Sequence, residues 1–397
     1  MGFPRDLAVV GGCGRVGLPL GLAFAEAGLR VVLYDHDEGA VDRVRAGKMP
    51  FREEGADAVL ERVMGAGTIA ASSEPGVLSE ADHVVVVVGT PVDEHLNPDP
   101  ESILRMVDGL VGHLVDGQLL ILRSTVYPGV SRMVDQRLRD GGRAIDVAFC
   151  PERIAEGRAL VELRALPHIV SGCTPRARQR AESLFRRLGA PVVELEVDEA
   201  ELAKLFTNTW RYVKFAAANQ LYMIANDFGL DFERIRAAIA QDYPRAEDMP
   251  GPGFAAGPCL LKDTMQLAAF NNNNFTLGHA SMMINEGLPL YVIARLAQRF
   301  DLASMTVGIL GMAFKAESDD VRSSLSYKLK RLLRFRARQV VCTDPYVEDD
   351  PDIRPLEEVL SEADLLVIGA PHAAYATLDP TTPVVDIWNL VGRGVRV

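Results

Sequence analysis

The residues DLAVVGGCGRVGLPL (6–20) join a strand to a helix through a turn that only glycines make easily, and this junction narrows the fold more than any other stretch. The apolar run 6–10 reads as a buried strand. Gly12-Cys13-Gly14-Arg15-Val16-Gly17 follows it, and a helical pattern runs from about 16 to 28. Glycines in that setting permit a tight turn and let a pyrophosphate approach backbone N–H groups at a helix N-terminus. RVVLYD (30–35) is a second strand ending in Asp35, 18 residues after Gly17, where a carboxylate meets a ribose 2′-hydroxyl. A 2′-phosphate would face that negative charge, so the pattern predicts NAD rather than NADP. A bare G-x-G-x-x-G is a weak signal, and a structural glycine turn would share it. Strand, helix and acid at this spacing make it a dinucleotide site.

The alternation continues. HVVVVVG (83–89), LLILRST (119–125) and IDVAFCP (145–151) read as strands separated by helical segments, which indicates a parallel sheet covered on both faces. Near residue 198 the pattern changes. Asp198 and Glu201 have capping-box spacing, and apolar periodicity then runs to Gly229, a natural helix-ending residue. So long a helix is expected to form a spine between domains or across a dimer. A helix over 231–241, a Pro/Gly-rich loop (250–258) and helices over about 262–270 and 278–300 come next. From 305 the strand-like runs MTVGILG, QVVCTDP, DLLVIGAP and PVVDIWN predict a second, smaller doubly wound domain. The fold class expected is α/β: two doubly wound Rossmann-like domains joined by a central long-helix segment. The divisions are 1–197 (NAD-binding), 198–302 (central, helical) and 303–397 (C-terminal).

Composition excludes several functions. The formal charge of -12 argues against nucleic acid, whose binding depends on neutralising phosphates. The basic run KLKRLLRFRARQ (328–339) reads most simply as the solvated face of a helix. No run approaches the roughly 18 apolar residues of a membrane span, and the N-terminus has no signal-peptide pattern, so the expected place is the cytoplasm, away from membranes. The five cysteines (13, 150, 173, 259, 342) form no C-x-x-C pair, which predicts neither a disulfide framework nor a metal site. Any thiol chemistry should use one cysteine.

Further candidates sit where ligands gather in such folds, at strand C-terminal ends. Thr90-Pro91 and Ser124-Thr125 are there, although an end-of-strand turn explains them equally. Glu152 in Cys150-Pro151-Glu152-Arg153 is placed to orient or deprotonate a water, or else to pair with Arg153 at the surface. Lys204 and Asn208 are four apart and share a helix face, as a polar site or as a snorkelling lysine beside an amide. In Gly257-Pro258-Cys259-Leu260-Leu261-Lys262-Asp263 the cysteine stands just before a helix, where the dipole favours a thiolate. A buried structural cysteine is the plainer alternative.

Taken together, these segments resemble the UDP-glucose/GDP-mannose dehydrogenases from about residue 7 to 390. GCGRVGLP is similar to that family's dinucleotide loop, VVVGTPVDEHLNPD to its T-P segment and RSTVYPG to its S-T-V segment. CPERIAEGRAL resembles its P-E segment, AELAKLFTNTWRYVKFAAANQ its central helix, GPCLLKD its G-x-C loop and GILGMAFKAESDDVRSS its nucleotide-domain loop. The resemblance implies an NAD-dependent nucleotide-sugar 6-dehydrogenase with its active site in a cleft between domains, working as a homodimer. It implies Cys259 as nucleophile, Lys204 and Asn208 as oxyanion donors, and Asp263 as the group that places or deprotonates water. Glu152 and Thr125 would position that water. Gly12, Gly14, Arg15, Val16, Gly17, Asp35, Thr90, Pro91, Ser124, Thr125, Lys262 and Arg322 are then expected at the cofactor. Arg153, Gly257, Phe314 and Lys315 join Glu152, Lys204 and Asn208 at the substrate, and Arg245 is expected to reach the neighbouring subunit's site.

In the implied chemistry an aldehyde is captured by Cys259, oxidised to a thioester and hydrolysed. Ala255-Ala256-Gly257-Pro258 departs from the Gly-Gly that many members carry in this loop. Substrate cues divide. Cys-x-x-Lys-Asp resembles the UDP-glucose branch, whereas Cys-Pro-Glu-Arg and the spacing of Arg245 from Cys259 resemble the UDP-N-acetylhexosamine branch. UDP-glucose is the expectation, with UDP-N-acetylhexosamine or dTDP-glucose as alternatives. A two-electron 3-hydroxyacid-type dehydrogenase, or a non-catalytic nucleotide-sugar binding protein, would leave Cys259 and its neighbours unexplained.

Overall fold

The computed structural model describes residues 2–90, 93, 99, 101–378 and 381–392. The chain forms two compact units, residues 1–207 and 208–397.

The first unit is built on an eight-stranded sheet. Its strands are β1 (Arg5–Val10), β2 (Val31–Tyr34), β3 (Ile69–Ser72), β4 (Ala81–Val86), β5 (Leu119–Leu122), β6 (Asp146–Phe149), β7 (His168–Gly172) and β8 (Val192–Glu194), in the order β3-β2-β1-β4-β5-β6-β7-β8. All neighbouring pairs are parallel except β6 with β7. Alternate residues feed two separate cores: Leu7, Val9, Val31 and Leu33 enter one, and Ala8, Val10, Val32 and Val84 the other. Apolar cores on both faces explain why these strands read as continuous apolar runs rather than alternating ones. The order reverses at β1 and β4, so the carboxyl ends of these two strands frame the crevice where such sheets bind ligands.

The long helix expected after residue 197 spans Val197–Asp227, and the boundary between the units falls inside it. Its end matches expectation: Gly229 has φ +69°, and the Leu230 N–H bonds back to the Ala225 carbonyl. Its start does not. Asp198 and Glu201 form no capping box. Glu199 instead accepts from the Glu196 N–H, and Asp198 pairs with Arg132. Glu201 is fully buried, and its two oxygens take the N–H groups of Gly129 and Ser131 at the start of helix Val130–Asp140. A carboxylate at a neighbouring helix N-terminus satisfies donors there and meets the positive end of the dipole, which outweighs a local cap.

The second unit carries helices Phe232–Ala240, Leu260–Phe270 and Thr276–Arg299 and a smaller parallel sheet. The sheet's strands are β9 (Thr306–Leu310), β10 (Gln339–Thr343), β11 (Leu365–Ile368) and β12 (Val384–Val385), in the order β10-β9-β11-β12. The basic run begins in helix Leu325–Leu333 and is largely neutralised by local acids. Lys328 pairs with Glu286, Lys330 and Arg334 with Asp352, and Arg338 with Asp364. Lys330 is buried, so the solvated-face reading holds for part of the run only. Among the described residues no helix is long and apolar enough to cross a membrane, and no group of three or more His, Cys, Asp or Glu could hold a metal ion.

Candidate active site

In the first unit the glycine turn divides its labour as the motif requires. A Cβ on Gly12 would lie 2.7 Å from the Val9 carbonyl oxygen, and one on Gly17 would lie 2.1 Å from the Gly11 carbonyl oxygen, so both are needed for packing. A Cβ on Gly14 would meet only the Gly11 oxygen, at 3.4 Å, which leaves its backbone open to a ligand. The helix it opens, Gly17–Glu26, has no side-chain cap and no acid in its first turn. That N-terminus fits an anionic pyrophosphate. Asp35, at the end of β2, is buried and accepts from the Cys13 N–H at 3.0 Å and the Asp37 N–H at 3.2 Å. The carboxylate therefore ties the glycine turn to the second strand, beside the loop that would carry the dinucleotide. Arg15 stacks over Phe51, and Val16 is the residue just before the helix.

Thr90 and Ser124 follow β4 and β5. The Ser124 hydroxyl accepts from the Val88 N–H at 2.9 Å and so links the two strand ends. Thr125 beside it is half-buried. Pro91 lies outside the described residues.

Glu152 does not pair with Arg153 at the surface. It is buried, and its Oε2 faces Arg123, 2.8 Å from Nε and 2.6 Å from Nη2. Its Oε1 accepts from the N–H groups of Arg153 and Ile154 at 2.7 and 2.9 Å. Burial pushes the Glu152 carboxyl upward, but Arg123 and the two backbone donors outweigh it and hold the group below the usual carboxylate range. Arg123 is itself 1% exposed, bonds the Cys150 carbonyl and lies 4.8 Å over the Phe185 ring. Sequence reading missed Arg123, although a cation at a strand end beside Ser124 was the available signal. The Arg153 side chain turns to the Pro167 carbonyl.

Lys204 and Asn208 are both buried on one face of helix Val197–Asp227. Among the described residues no carboxylate pairs with Lys204.

In the second unit Cys259 is the exposed N-cap residue of helix Leu260–Phe270, and its side chain makes no capping bond. The other cysteines differ. Burial above all pushes Cys13, Cys150 and Cys173 up to about 12 and raises Cys342 as well, so these stay protonated thiols near neutral pH. Asp263, fully buried one turn into the helix, accepts from Asn208 Nδ2 at 2.6 Å and faces Lys262 Nζ at 2.7 Å. Three expected residues, Asn208, Asp263 and Lys262, thus form one chain of contacts.

The cysteine loop is held from behind. Gly257 has φ +102°, and a Cβ there would sit 2.7 Å from the Phe314 ring; its N–H donates to the Ser323 carbonyl at 3.4 Å. The loop after β9 therefore packs on the cysteine loop. Lys315 lies 5.6 Å from the Phe314 ring, while Arg322 forks onto Asp320 at 2.6 Å. Asn219 grips both backbone groups of Gly253 at 2.9 and 3.0 Å, and its amide also donates to Asn285, which in turn bonds the Tyr212 carbonyl. These two fully buried asparagines were not anticipated. Amides inside apolar helical runs were their signal. Arg245 is exposed and stacks on Tyr243 without joining the cluster.

Comparison with known proteins gives a consistent pattern. Residues 6–189 match the NAD binding domain of the UDP-glucose/GDP-mannose dehydrogenase family, 198–286 its central domain and 308–393 its UDP binding domain. A UDP-N-acetyl-D-mannosamine dehydrogenase from Pyrococcus horikoshii is 28% identical over 97% of this chain and 92% of its own length. The solved structure of the UDP-D-ManNAc dehydrogenase from Pyrococcus horikoshii aligns with a TM-score of 0.87 over 94% of this chain and 91% of that one, at 28% identity. The solved UDP-glucose dehydrogenase from Pyrobaculum islandicum aligns with a TM-score of 0.88, at 28% identity over 96% of this chain and 94% of that one.

Proposed function

Because the chain belongs to the UDP-glucose/GDP-mannose dehydrogenase family and is an NAD-dependent nucleotide-sugar dehydrogenase, we propose that it oxidises C6 of a UDP-N-acetylhexosamine, foremost the N-acetylmannosamine compound, to the uronic acid through a thioester on Cys259. The observation that carries this reading is the thiol inventory: four cysteines are held protonated by burial, and the one exposed thiol stands at a helix start, one turn from the Asn208–Asp263 pair. The expectation of UDP-glucose gives way, because relatives along nearly the whole chain are named for UDP-N-acetyl-D-mannosamine and the Cys150-Pro151-Glu152-Arg153 cue points the same way.

NAD, when bound, accepts the hydride of each of the two oxidations. The chain's own groups do the rest. The Cys259 thiolate adds to the aldehyde carbon, a C–S bond forms, and the oxyanion takes a proton. Loss of that hydroxyl proton together with the second hydride leaves a thioester. Water then attacks, the C–S bond breaks, and carboxylate and thiol are released. Lys204 and the second amide proton of Asn208, whose first is given to Asp263, stabilise each oxyanion. Asp263 takes a proton from the water. Glu152, its carboxylate fixed by Arg123 and by the N–H groups of Arg153 and Ile154, and Thr125 orient that water. Gly12, Gly14, Arg15, Val16, Gly17, Asp35, Thr90, Pro91, Ser124, Lys262 and Arg322 are assigned to the cofactor, and Arg153, Gly257, Phe314 and Lys315 to the nucleotide sugar.

The proposal keeps a three-domain division (1–197, 198–302, 303–397), a place in the cytoplasm and a homodimer in which Arg245 serves the neighbouring site. An exposed stripe at helical spacing supports the dimer: Trp210, Leu221, Ile224 and Phe228 are 60, 45, 49 and 78% exposed.

The test is stoichiometry. Each carboxylate should accompany about two NADH. Cys259→Ala should make no acid, and quenched Glu152→Gln should carry the acyl group on the Cys259 peptide. One NADH per product with free aldehyde as the end point would favour the two-electron alternative.

A further inference from the structure

The second unit contains a buried acid–base pair that the chemistry above does not use. His372 and Asp344 have fully buried side chains, with Nε2 and Oδ2 3.1 Å apart. Asp344 follows β10 and His372 follows β11, the two strands flanking β9. The pair therefore closes over the carboxyl end of β9, at the reversal of strand order where a doubly wound sheet usually leaves its ligand crevice.

What the pair holds is the loop after β9. Asp344 Oδ2 accepts from the N–H groups of Met312 and Ala313 at 2.6 and 2.9 Å, just before Phe314 and Lys315. His372 Nδ1 takes the Glu317 N–H at 3.0 Å, just after them. A backbone N–H can only donate, so Nδ1 carries no proton and the neutral ring places its hydrogen on Nε2, toward Asp344. Glu317, at φ +55°, returns the contact: its Oε1 accepts from the Ala373 N–H at 2.8 Å and its Oε2 from the Tyr346 hydroxyl at 2.6 Å. The six-residue segment is thus pinned at both ends, and its Phe314 ring is the surface against which Gly257 and the cysteine loop pack.

We propose that His372 and Asp344 are positioning residues for nucleotide-sugar binding, acting by fixing the Met312–Glu317 loop that presents Phe314 and Lys315. This rests on the substrate reading given above. Both side chains are fully buried and so are not open to a substrate. Their effect should therefore fall on the affinity for the nucleotide sugar far more than on that for NAD, whose glycine turn and Asp35 belong to the first unit.

The test uses three substitutions in the full chain. His372→Leu removes both bonds. His372→Asn keeps an acceptor near the Nδ1 position, and His372→Gln keeps a donor near the Nε2 position. In His372→Leu the KM for UDP-N-acetylmannosamine should rise tenfold or more with the KM for NAD within about twofold, and the two amide variants should fall between it and wild type. Hydrogen exchange provides a readout independent of turnover: amides of 312–317 should lose protection in His372→Leu while those of β9 keep theirs. An unchanged substrate KM, parallel loss in both KM values and kcat, or unchanged exchange in the loop would each overturn the proposal. Wild-type enzyme that turns over no nucleotide sugar would instead sink the substrate reading, and the exchange result would still decide whether the pair holds the loop.

Discussion

Replacing Arg123 with methionine keeps much of the side-chain volume and removes the charge that faces Glu152. In the structure Arg123 Nε donates to Glu152 Oε2 at 2.8 Å and Nη2 lies 2.6 Å from the same oxygen as an ion-pair contact, while the N–H groups of Arg153 and Ile154 serve Oε1. The bond to the Cys150 carbonyl and the stacking over Phe185 are lost as well. Breaking a buried ion pair from one side costs about 3–5 kcal/mol, and the surviving backbone donors place this case near the lower end, about 3–4 kcal/mol at pH 7. For a unit of this size that is roughly a 10 °C fall in Tm, at about 2–4 °C per kcal/mol. The loss should depend on pH in a defined direction. In wild type the Glu152 pKa is depressed, so its stabilising contribution is present above the unfolded carboxylate pKa and fades as pH falls through the folded value. In Arg123→Met burial dominates and the folded pKa rises, so the folded variant gains by taking a proton. The gap between the two proteins should therefore be widest at neutral pH and narrow toward pH 5. Urea unfolding followed by circular dichroism at pH 7.5 and 5 measures this, with Glu152→Gln and the double variant completing the cycle. The double variant should recover more than half of the loss. A cost below about 1 kcal/mol at neutral pH, or one independent of pH, would refute the claim that Glu152 is an anion held by Arg123.

Asp35→Asn removes the charge that opposes a 2′-phosphate and loosens the turn at Cys13, so the preference for NAD over NADP in kcat/KM should shrink by roughly tenfold, about 1.4 kcal/mol; an unchanged ratio would mean the carboxylate only braces the loop. Gly257→Ala puts a methyl 2.7 Å from the Phe314 ring at φ +102°, which costs about 1–3 kcal/mol and should abolish most turnover; near-wild-type kinetics would contradict the tight packing of the two loops. Glu201→Ala leaves the Gly129 and Ser131 N–H groups without their acceptor and should destabilise the first unit by about 1–3 kcal/mol in the same unfolding assay, with KM values little altered. Trp210→Glu with Phe228→Glu should shift sedimentation from twice the chain mass to one; a wild type already at one chain mass would remove the dimer from the proposal.

Much of this protein is written in short stretches of chain. The strand, glycine turn and helix at 6–20, the acid at 35, the end of the long helix at Gly229 and the cysteine ahead of a helix at 259 all depend on neighbours within a few residues, so pattern and spacing suffice to read them. The same holds for the alternation that announces two parallel-dominated sheets, though not for the antiparallel pairing of β6 with β7. The partners of buried polar groups depend on long-range contacts instead. Glu201 is read locally as a cap for its own helix, yet the fold delivers it to Gly129 and Ser131, some 70 residues back. Glu152 sits beside Arg153 in the chain but takes Arg123, because β5 and β6 are adjacent and Arg123 and Glu152 follow their ends. Asn219, Gly253 and Asn285 meet across three segments, and Asp344 and His372 meet over β9 only because the sheet order sets β10 and β11 on either side of it. A buried donor, acceptor or charge must find a partner wherever the packed chain brings one, and packing is set by the summed burial of whole strands and helices rather than by the residues next door.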